Sequence, residues 1–247
     1  MPPKYKNYRI GETKHNLYGN VMTIVEYYNK DNIIVKFNNG YTSRSTYNHF
    51  KNGTVKNPYD KQYYKVGFIG EGHYYKTNYK KTYKVWKSML QRCYDEKYQQ
   101  KRPTYRGCTV CIKWHNFQNF AKWYDENYYD VDGQRMELDK DILIKGNKIY
   151  SPETCVIVPQ IINTLFIKSN AKRGEYPIGV SYNNTHNIFV ASGKNAFLGY
   201  FNTSQEAFYS YKTYKEKIIK ATADKYKDII PQKLYEAMYQ YVVEVTD

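Results

Sequence analysis

Apolar runs are short in this chain. No segment approaches the ~20 consecutive apolar residues needed to cross a bilayer, and the N-terminal text MPPKYKNYRI lacks the apolar stretch of a signal peptide. The expectation is therefore an intracellular, cytoplasmic protein. Cysteine is scarce too, at four in 247 residues. In a reducing compartment Cys93, Cys108, Cys111 and Cys155 are expected as buried thiols or metal ligands, not as a disulfide framework. The five histidines are scattered, which excludes a hydrolase motif built on a histidine pair.

Positive charge and aromatic rings are abundant. The formal charge is +15, and 31 of the residues are tyrosine. Lysine plus arginine exceeds aspartate plus glutamate by 9 to 4 over residues 1–60, by 18 to 11 over 61–167 and by 11 to 8 over 168–247. A surplus in every third suits an extended footprint on a polyanion better than a single basic tail does. Tyrosine adds flat faces that stack on bases and hydroxyls that bond phosphates. A basic protein with no nucleic-acid role has the same composition, so the case has to rest on particular residues. With 41% hydrophobic residues the chain can bury a core, as one large domain or two to three small ones.

Periodicity divides the text into parts. From Gly19 to Tyr41, short apolar runs separated by turn formers at Asn29–Asp31 and Asn38–Gly40 predict a small antiparallel β-module. Its short strands and basic loops (Lys36, Arg44, Lys51, Lys56) suggest a small SH3-like barrel within residues 1–60, open to DNA or to protein contact. Residues 61–80 read as a surface linker with some strand pairing. Tyr83, Trp86, Met89, Leu90 and Cys93 fall on one helical face, and so do Trp114, Phe117, Phe120, Ala121 and Tyr124; both stripes are read as packing surfaces. After Gly133 the text MELDKDILIKGNKIYSPETCVIVPQIINTLF reads as strand, polar turn, short strand and helix, a ββα order.

The run Tyr83–Phe166 resembles phage and prophage HNH-like homing endonucleases. The likeness lies in a Trp and Met helix ending in Arg-Cys-Tyr, a Val-Cys-x-x-Trp step, a Leu-Asp strand, Tyr-Ser-Pro-Glu and a terminal Asn. It implies a metal-dependent phosphodiesterase core over residues 81–168. Carried over by position, Asp139 is the strand ligand, Asn147 the brace of the loop and Asn163 the helix ligand. Where the family has a histidine base, this chain has Lys140. Three accounts of Lys140 stand: a base whose pKa is depressed by burial beside a cation, a phosphate-binding cation beside metal-bound water, or the mark of lost catalysis. Asp141, two residues on, is expected on the strand face of Asp139, where it could share the cation; oxygen ligands of this kind suit Mg²⁺ or Mn²⁺. Alternatively the two aspartates are carboxylates on a solvated face. His115 is expected to cap or to lie on the surface, against the alternative of a substitute base that approaches the metal site. Cys108 and Cys111 form a C-x-x-C pair that with Cys93 and Cys155 could hold a structural zinc, against the alternative of buried apolar thiols.

Residues 169–247 carry a second resemblance. RGEYPIGVSYNNTHNIFVASGKNAFLGYFNTSQEAFYSYKTYKEKIIK is similar to APETALA-type (ethylene-response-factor) DNA-binding domains in its Gly-Val-Ser-Tyr, Phe-x-Ala and Leu-Gly-x-Phe strands and its Thr-x-x-Glu-Ala helix start. The resemblance implies a three-stranded sheet read into the major groove with a helix behind it. Tyr182, Asn184, Ser192 and Lys194 are then the strand candidates for DNA contact, with Lys172 and Arg173 before them. A capping box at Thr203 and Glu206 should start the helix, and Ala207, Tyr211, Tyr214 and Ile218 should form its buried stripe. A structural or protein-binding sheet is the other reading of the same text.

Together these readings give an α+β, multi-module protein: a β-barrel-like N-terminal module, a central helical plus ββα-metal core, and a C-terminal three-stranded sheet with packing helices. The expected activity is metal-dependent hydrolysis of DNA phosphodiester bonds, with double-stranded DNA as partner. A catalytically inactive DNA-binding regulator and an inhibitor or adaptor that binds a nucleoprotein are the alternatives.

Overall fold

A computed structural model describes residues 9–167, 175–245 and 247. The chain forms two compact units, Met1–Glu126 and Asn127–Asp247, each of mixed α and β structure.

The first unit opens with a four-stranded antiparallel sheet in the order β1 (Thr13–His15), β2 (Val21–Asn29), β3 (Asn32–Phe37), β4 (Thr42–Ser45). Alternation explains it: Met22 and Ile24 on β2 and Ile33, Val35 and Phe37 on β3 point to one side, where Phe50 and Val55 close a small core. The turn positions expected at Asn29–Asp31 and Asn38–Gly40 join these strands. A short helix, α1 (Tyr47–Asn52), follows, capped by Thr46 and stopped at Gly53 in the left-handed region.

Residues 61–80 are fastened down. Gly67 lies so close to Trp86 and Leu90 that a β-carbon there would stand 2.4 Å from Leu90. The Gln118 amide donates to the carbonyls of Ile69 and Tyr74 and accepts from the Tyr74 N–H. These contacts hold the segment against α2 (Lys80–Tyr94) and α4 (Phe117–Asn127). Between those helices come α3 (Glu96–Lys101) and a short strand, β5 (Thr109–Val110). Trp86, Met89, Leu90 and Cys93 are buried on α2, as are Phe117, Phe120, Ala121 and Tyr124 on α4, so both stripes pack as the periodicity predicts. Trp114 is buried in the 3-10 turn before α4 and its carbonyl accepts from the Trp86 indole at 2.7 Å. At ~25 cal/mol per Å² of apolar surface, each such buried ring contributes several kcal/mol.

In the second unit β6 (Met136–Asp139) pairs antiparallel with β8 (Val156–Pro159), which leads straight into α5 (Gln160–Asn163) and a 3-10 turn at Thr164–Phe166. A short strand, β7 (Ile149–Tyr150), lies in the long connection. Then follow β9 (Val180–Asn183), β10 (Ile188–Gly193) and β11 (Ala196–Phe201), in the spatial order β11-β10-β9, with α6 (Ser204–Tyr226) packed on one face and α7 (Gln232–Gln240) against α6. The Thr203–Glu206 capping box is present in both of its bonds.

The buried row of α6 departs from expectation beyond its second turn. Ala207, Phe208, Tyr211, Ile219, Ala223 and Tyr226 are buried, while Ile218 is exposed and Tyr214 half-buried. The helix is 23 residues long and packs first on the sheet and then on α7, so the facing row follows i, i+4 steps across its surface.

Candidate functional site

Around residues 137–163 of the second unit, side chains and backbone form a closed polar loop. Asp139 ends β6. Its Oδ1 accepts from the backbone N–H groups of Asp141 (2.8 Å) and Ile142 (2.7 Å), which turns the chain out of the strand at once. Asp141 therefore lies past the strand end, and strand alternation does not extend to it; the premise that it shares the strand face of Asp139 fails for this reason. Its carboxylate accepts instead from the Lys140 ammonium at 3.0 Å.

Lys140 is buried, with 7% of its surface exposed. Its ammonium also donates to the Asn147 carbonyl at 2.9 Å and sits 5.8 Å from the centre of the Tyr150 ring. Asn147 answers across the loop: its amide nitrogen donates to the carbonyls of Lys140 (2.6 Å) and Ile149 (2.7 Å), and its oxygen accepts from the Ile149 N–H. One asparagine thus ties residue 140 to residue 149.

Electrostatically the loop is loaded. Burial pushes the Asp139 carboxyl up to about 6, and the neighbouring Asp141 carboxylate adds to the rise; the two backbone N–H bonds and Lys140 act in the opposite direction. Its second oxygen, Oδ2, has no hydrogen-bond partner among the described residues. Cys155, fully buried nearby, has its thiol pushed up to about 12 by burial, so it is a protonated, inert group.

Asn163, on α5, donates its amide to the Glu137 carboxylate, which also accepts from Arg135. Glu137 precedes Asp139 by two residues on β6, so the two side chains share a strand face, and Asn163 lies over that face. Sequence reasoning passed over Glu137, although the two-residue spacing marks it.

No family model matches this chain, and no curated protein or solved structure matches it. The site therefore stands on its geometry.

Asp139 Oδ2 and the Asn163 amide oxygen are ligands a hard cation takes, and Mg²⁺ keeps several waters when it binds through one or two protein oxygens. Among the described residues no group of three or more His, Cys, Asp or Glu side chains is placed to hold a metal. A divalent cation here would rest on two protein ligands plus water and phosphate oxygens. The same finding bears on the four cysteines: none is in a disulfide among the described residues, Cys93, Cys108 and Cys155 are buried, and no cluster among the described residues corresponds to the tetrahedral zinc set. His115 is half-buried in the first unit, where its Nε2 meets the Tyr94 hydroxyl at 3.2 Å and burial lowers its pKa. It serves the packing there.

The candidates for DNA contact separate. Lys172 and Arg173 lie outside the described residues. Tyr182 packs its ring on Phe189 at 4.9 Å and on Tyr176. It shares the sheet face of its partner Phe189, the face on which Ala191 is buried towards α6. Asn184 is exposed in the β9–β10 turn and Lys194 at the tip of the β10–β11 hairpin. Ser192 is exposed on the opposite face with its partner Phe197. That open face also presents Tyr200, at 59% exposure, against Phe197 at 64%, the two rings 5.0 Å apart. Neither ring was singled out by sequence, because an aromatic residue in a strand usually signals a core.

Proposed function

We propose that this chain is a DNA-binding protein whose β6–loop–β8–α5 element forms an HNH-like, metal-dependent endonuclease site. The observation that supports the reading best is the loop itself: Asp139 at the strand end, Asn147 spanning from the carbonyl of residue 140 to that of 149, and Asn163 held over the same strand face. In this reading Asp139 and Asn163 hold Mg²⁺ or Mn²⁺, and Asn147 fixes the loop. When bound by Asp139 and Asn163, such a cation would supply charge stabilisation at the scissile phosphate and a water of lowered pKa. Asp139 binds a cation only in its ionised form, so its raised pKa makes metal occupancy weaken below about pH 6.

Lys140 is a positioning residue here. Its ammonium is held between the Asp141 carboxylate and the Asn147 carbonyl, which places it as a brace of the loop. Proton removal then falls to water or to the substrate phosphate. The C-terminal sheet, with α6 behind it and Phe197, Tyr200, Ser192 and Lys194 exposed, and the SH3-like N-terminal sheet with its basic loops, supply non-catalytic contacts to the duplex. Zinc plays no part in this reading.

One observation favours a second reading, a DNA-binding regulator without catalysis: the position of the family's base is occupied by a lysine engaged on both sides by the loop. Incubation with supercoiled plasmid and Mg²⁺ or Mn²⁺ separates the two. Nicking supports the endonuclease, and salt-sensitive binding without nicking supports the regulator.

A further inference from the structure

The buried row of α6 contains an anomaly. Ala207, Tyr211, Ile219 and Ala223 are buried at successive i, i+4 positions, and the place between Tyr211 and Ile219 is taken by Lys215. A lysine in such a row withdraws its charge from water with no packing advantage over leucine or methionine.

Lys215 opens into a cavity of about 270 Å³ in the second unit, whose walls include Ile178, Gly179, Tyr211, Tyr241 and the hairpin-tip Lys194. Neither lysine side chain has a hydrogen-bond or ion-pair partner among the described residues. The acid in the cavity wall, Asp247, directs its Oδ2 elsewhere: that oxygen accepts from Lys145 at 2.7 Å, from the Tyr241 hydroxyl at 3.2 Å and from the Glu244 N–H at 3.0 Å. The pocket therefore gathers two cations against one carboxylate, and neither cation bonds it among the described residues.

Its frame is rigid. The Tyr214 hydroxyl donates to the Lys194 carbonyl at 3.3 Å, pinning the hairpin tip to α6. Gly179 and Gly193 let the sheet approach so closely that a β-carbon would stand 2.0 Å from Tyr211 and 2.1 Å from Tyr214.

We infer that Lys194 and Lys215 form a binding site for one phosphate group, and that the group is a backbone phosphate of the DNA this chain is proposed to bind. The identity of the source rests on the proposed DNA-binding function; the anion site itself does not. Two ammonium groups that line a small, partly apolar cavity and bond no carboxylate match an oxyanion. Burial, and secondarily the charge of Lys194, lowers the pKa of Lys215, so the charged site carries a cost that a bound anion would relieve.

The test uses the full chain and six proteins: the unaltered chain, Lys194→Gln, Lys215→Gln, the double variant that combines these two, Lys215→Met, and Lys227→Gln, the last removing an exposed charge at the end of the same helix. Duplex affinity is followed by fluorescence anisotropy from 50 to 200 mM salt, and melting temperature is measured with and without inorganic phosphate. Expected are a loss of about tenfold in duplex affinity for Lys215→Gln and for Lys194→Gln, each well beyond that of Lys227→Gln. The double variant should lower the slope of log affinity against log salt by about 0.9, the value for one phosphate, because both lysines hold the same group. Phosphate should raise the melting temperature of the unaltered chain and not of Lys215→Gln.

Equal losses in Lys215→Gln and Lys227→Gln overturn the site while leaving DNA binding intact. Absence of duplex binding by the unaltered chain, with phosphate stabilisation still lost in Lys215→Gln, overturns DNA as the source and upholds the anion site. Absence of both overturns the inference altogether. Lys215→Met, which removes the half-buried charge and nearly keeps the side-chain length, should melt higher than the unaltered chain in phosphate-free buffer; a lower melting temperature contradicts the cost assigned to Lys215.

Discussion

Replacing Asp139 by asparagine should make the protein more stable at neutral pH. Asparagine keeps the oxygen that accepts from the N–H groups of Asp141 and Ile142 and removes the charge. A carboxyl raised from its ordinary 3.8 to about 6 costs about 3 kcal/mol when fully ionised, at 1.36 kcal/mol per pH unit. Asp139 is only half-buried, so solvent screening reduces this to about 1–2 kcal/mol, or roughly 2–8 °C in Tm for a chain of this size. The pH dependence has a definite sign. The folded protein holds the Asp139 proton more tightly than the unfolded chain, so this group favours folding at low pH and loses that contribution as pH rises from about 4 through 6. The advantage of Asp139→Asn should therefore be absent at pH 4, grow between pH 4 and 6, and level off above 6.5. Calorimetry across pH 4–8 in chelator-containing buffer measures it. An asparagine variant that melts lower at pH 7.5, or a difference independent of pH, refutes the electrostatic picture of the loop. Added Mn²⁺ should then raise the Tm of the unaltered chain and leave that of the variant where it was.

Other expectations follow from single contacts. Asn147→Ala removes the bonds to the carbonyls of Lys140 and Ile149 and should cost about 2–3 kcal/mol, with faster amide hydrogen exchange confined to residues 140–155. Thr203→Ala breaks the capping box of α6 and should lower stability by about 1 kcal/mol in denaturant titration. Gly179→Ala combines a φ of +78° with a β-carbon 2.0 Å from the Tyr211 ring; a loss of more than about 3 kcal/mol is expected, and Gly146→Ala, at a φ of +79° but in open space, should cost clearly less.

The sequence made the scaffold legible wherever one period ran uninterrupted. The β2–β3 hairpin and the α2 and α4 stripes follow directly from alternation and from 3.6-residue spacing, and the α6 cap follows from Thr203 and Glu206. What escaped the sequence were effects of tertiary context. Asp139 bends the chain at its own position, and so Asp141 leaves the strand face. Residues 61–80 lack periodicity, yet glycines and the Gln118 amide fasten them to two helices. Lys215 breaks a row whose true direction appears only once α6 meets both sheet and α7.

The central claim is cleavage, and supercoiled plasmid tests it most directly. With Mg²⁺ or Mn²⁺ at pH 7.5 the protein should convert plasmid to the nicked or linear form, and Asp139→Asn, which should fold at least as stably, should abolish the conversion while retaining salt-sensitive DNA binding. Cleavage undiminished in Asp139→Asn, or no cleavage by the unaltered chain with either metal on plasmid that it binds, would contradict the assignment of the β6–α5 loop as a nuclease site.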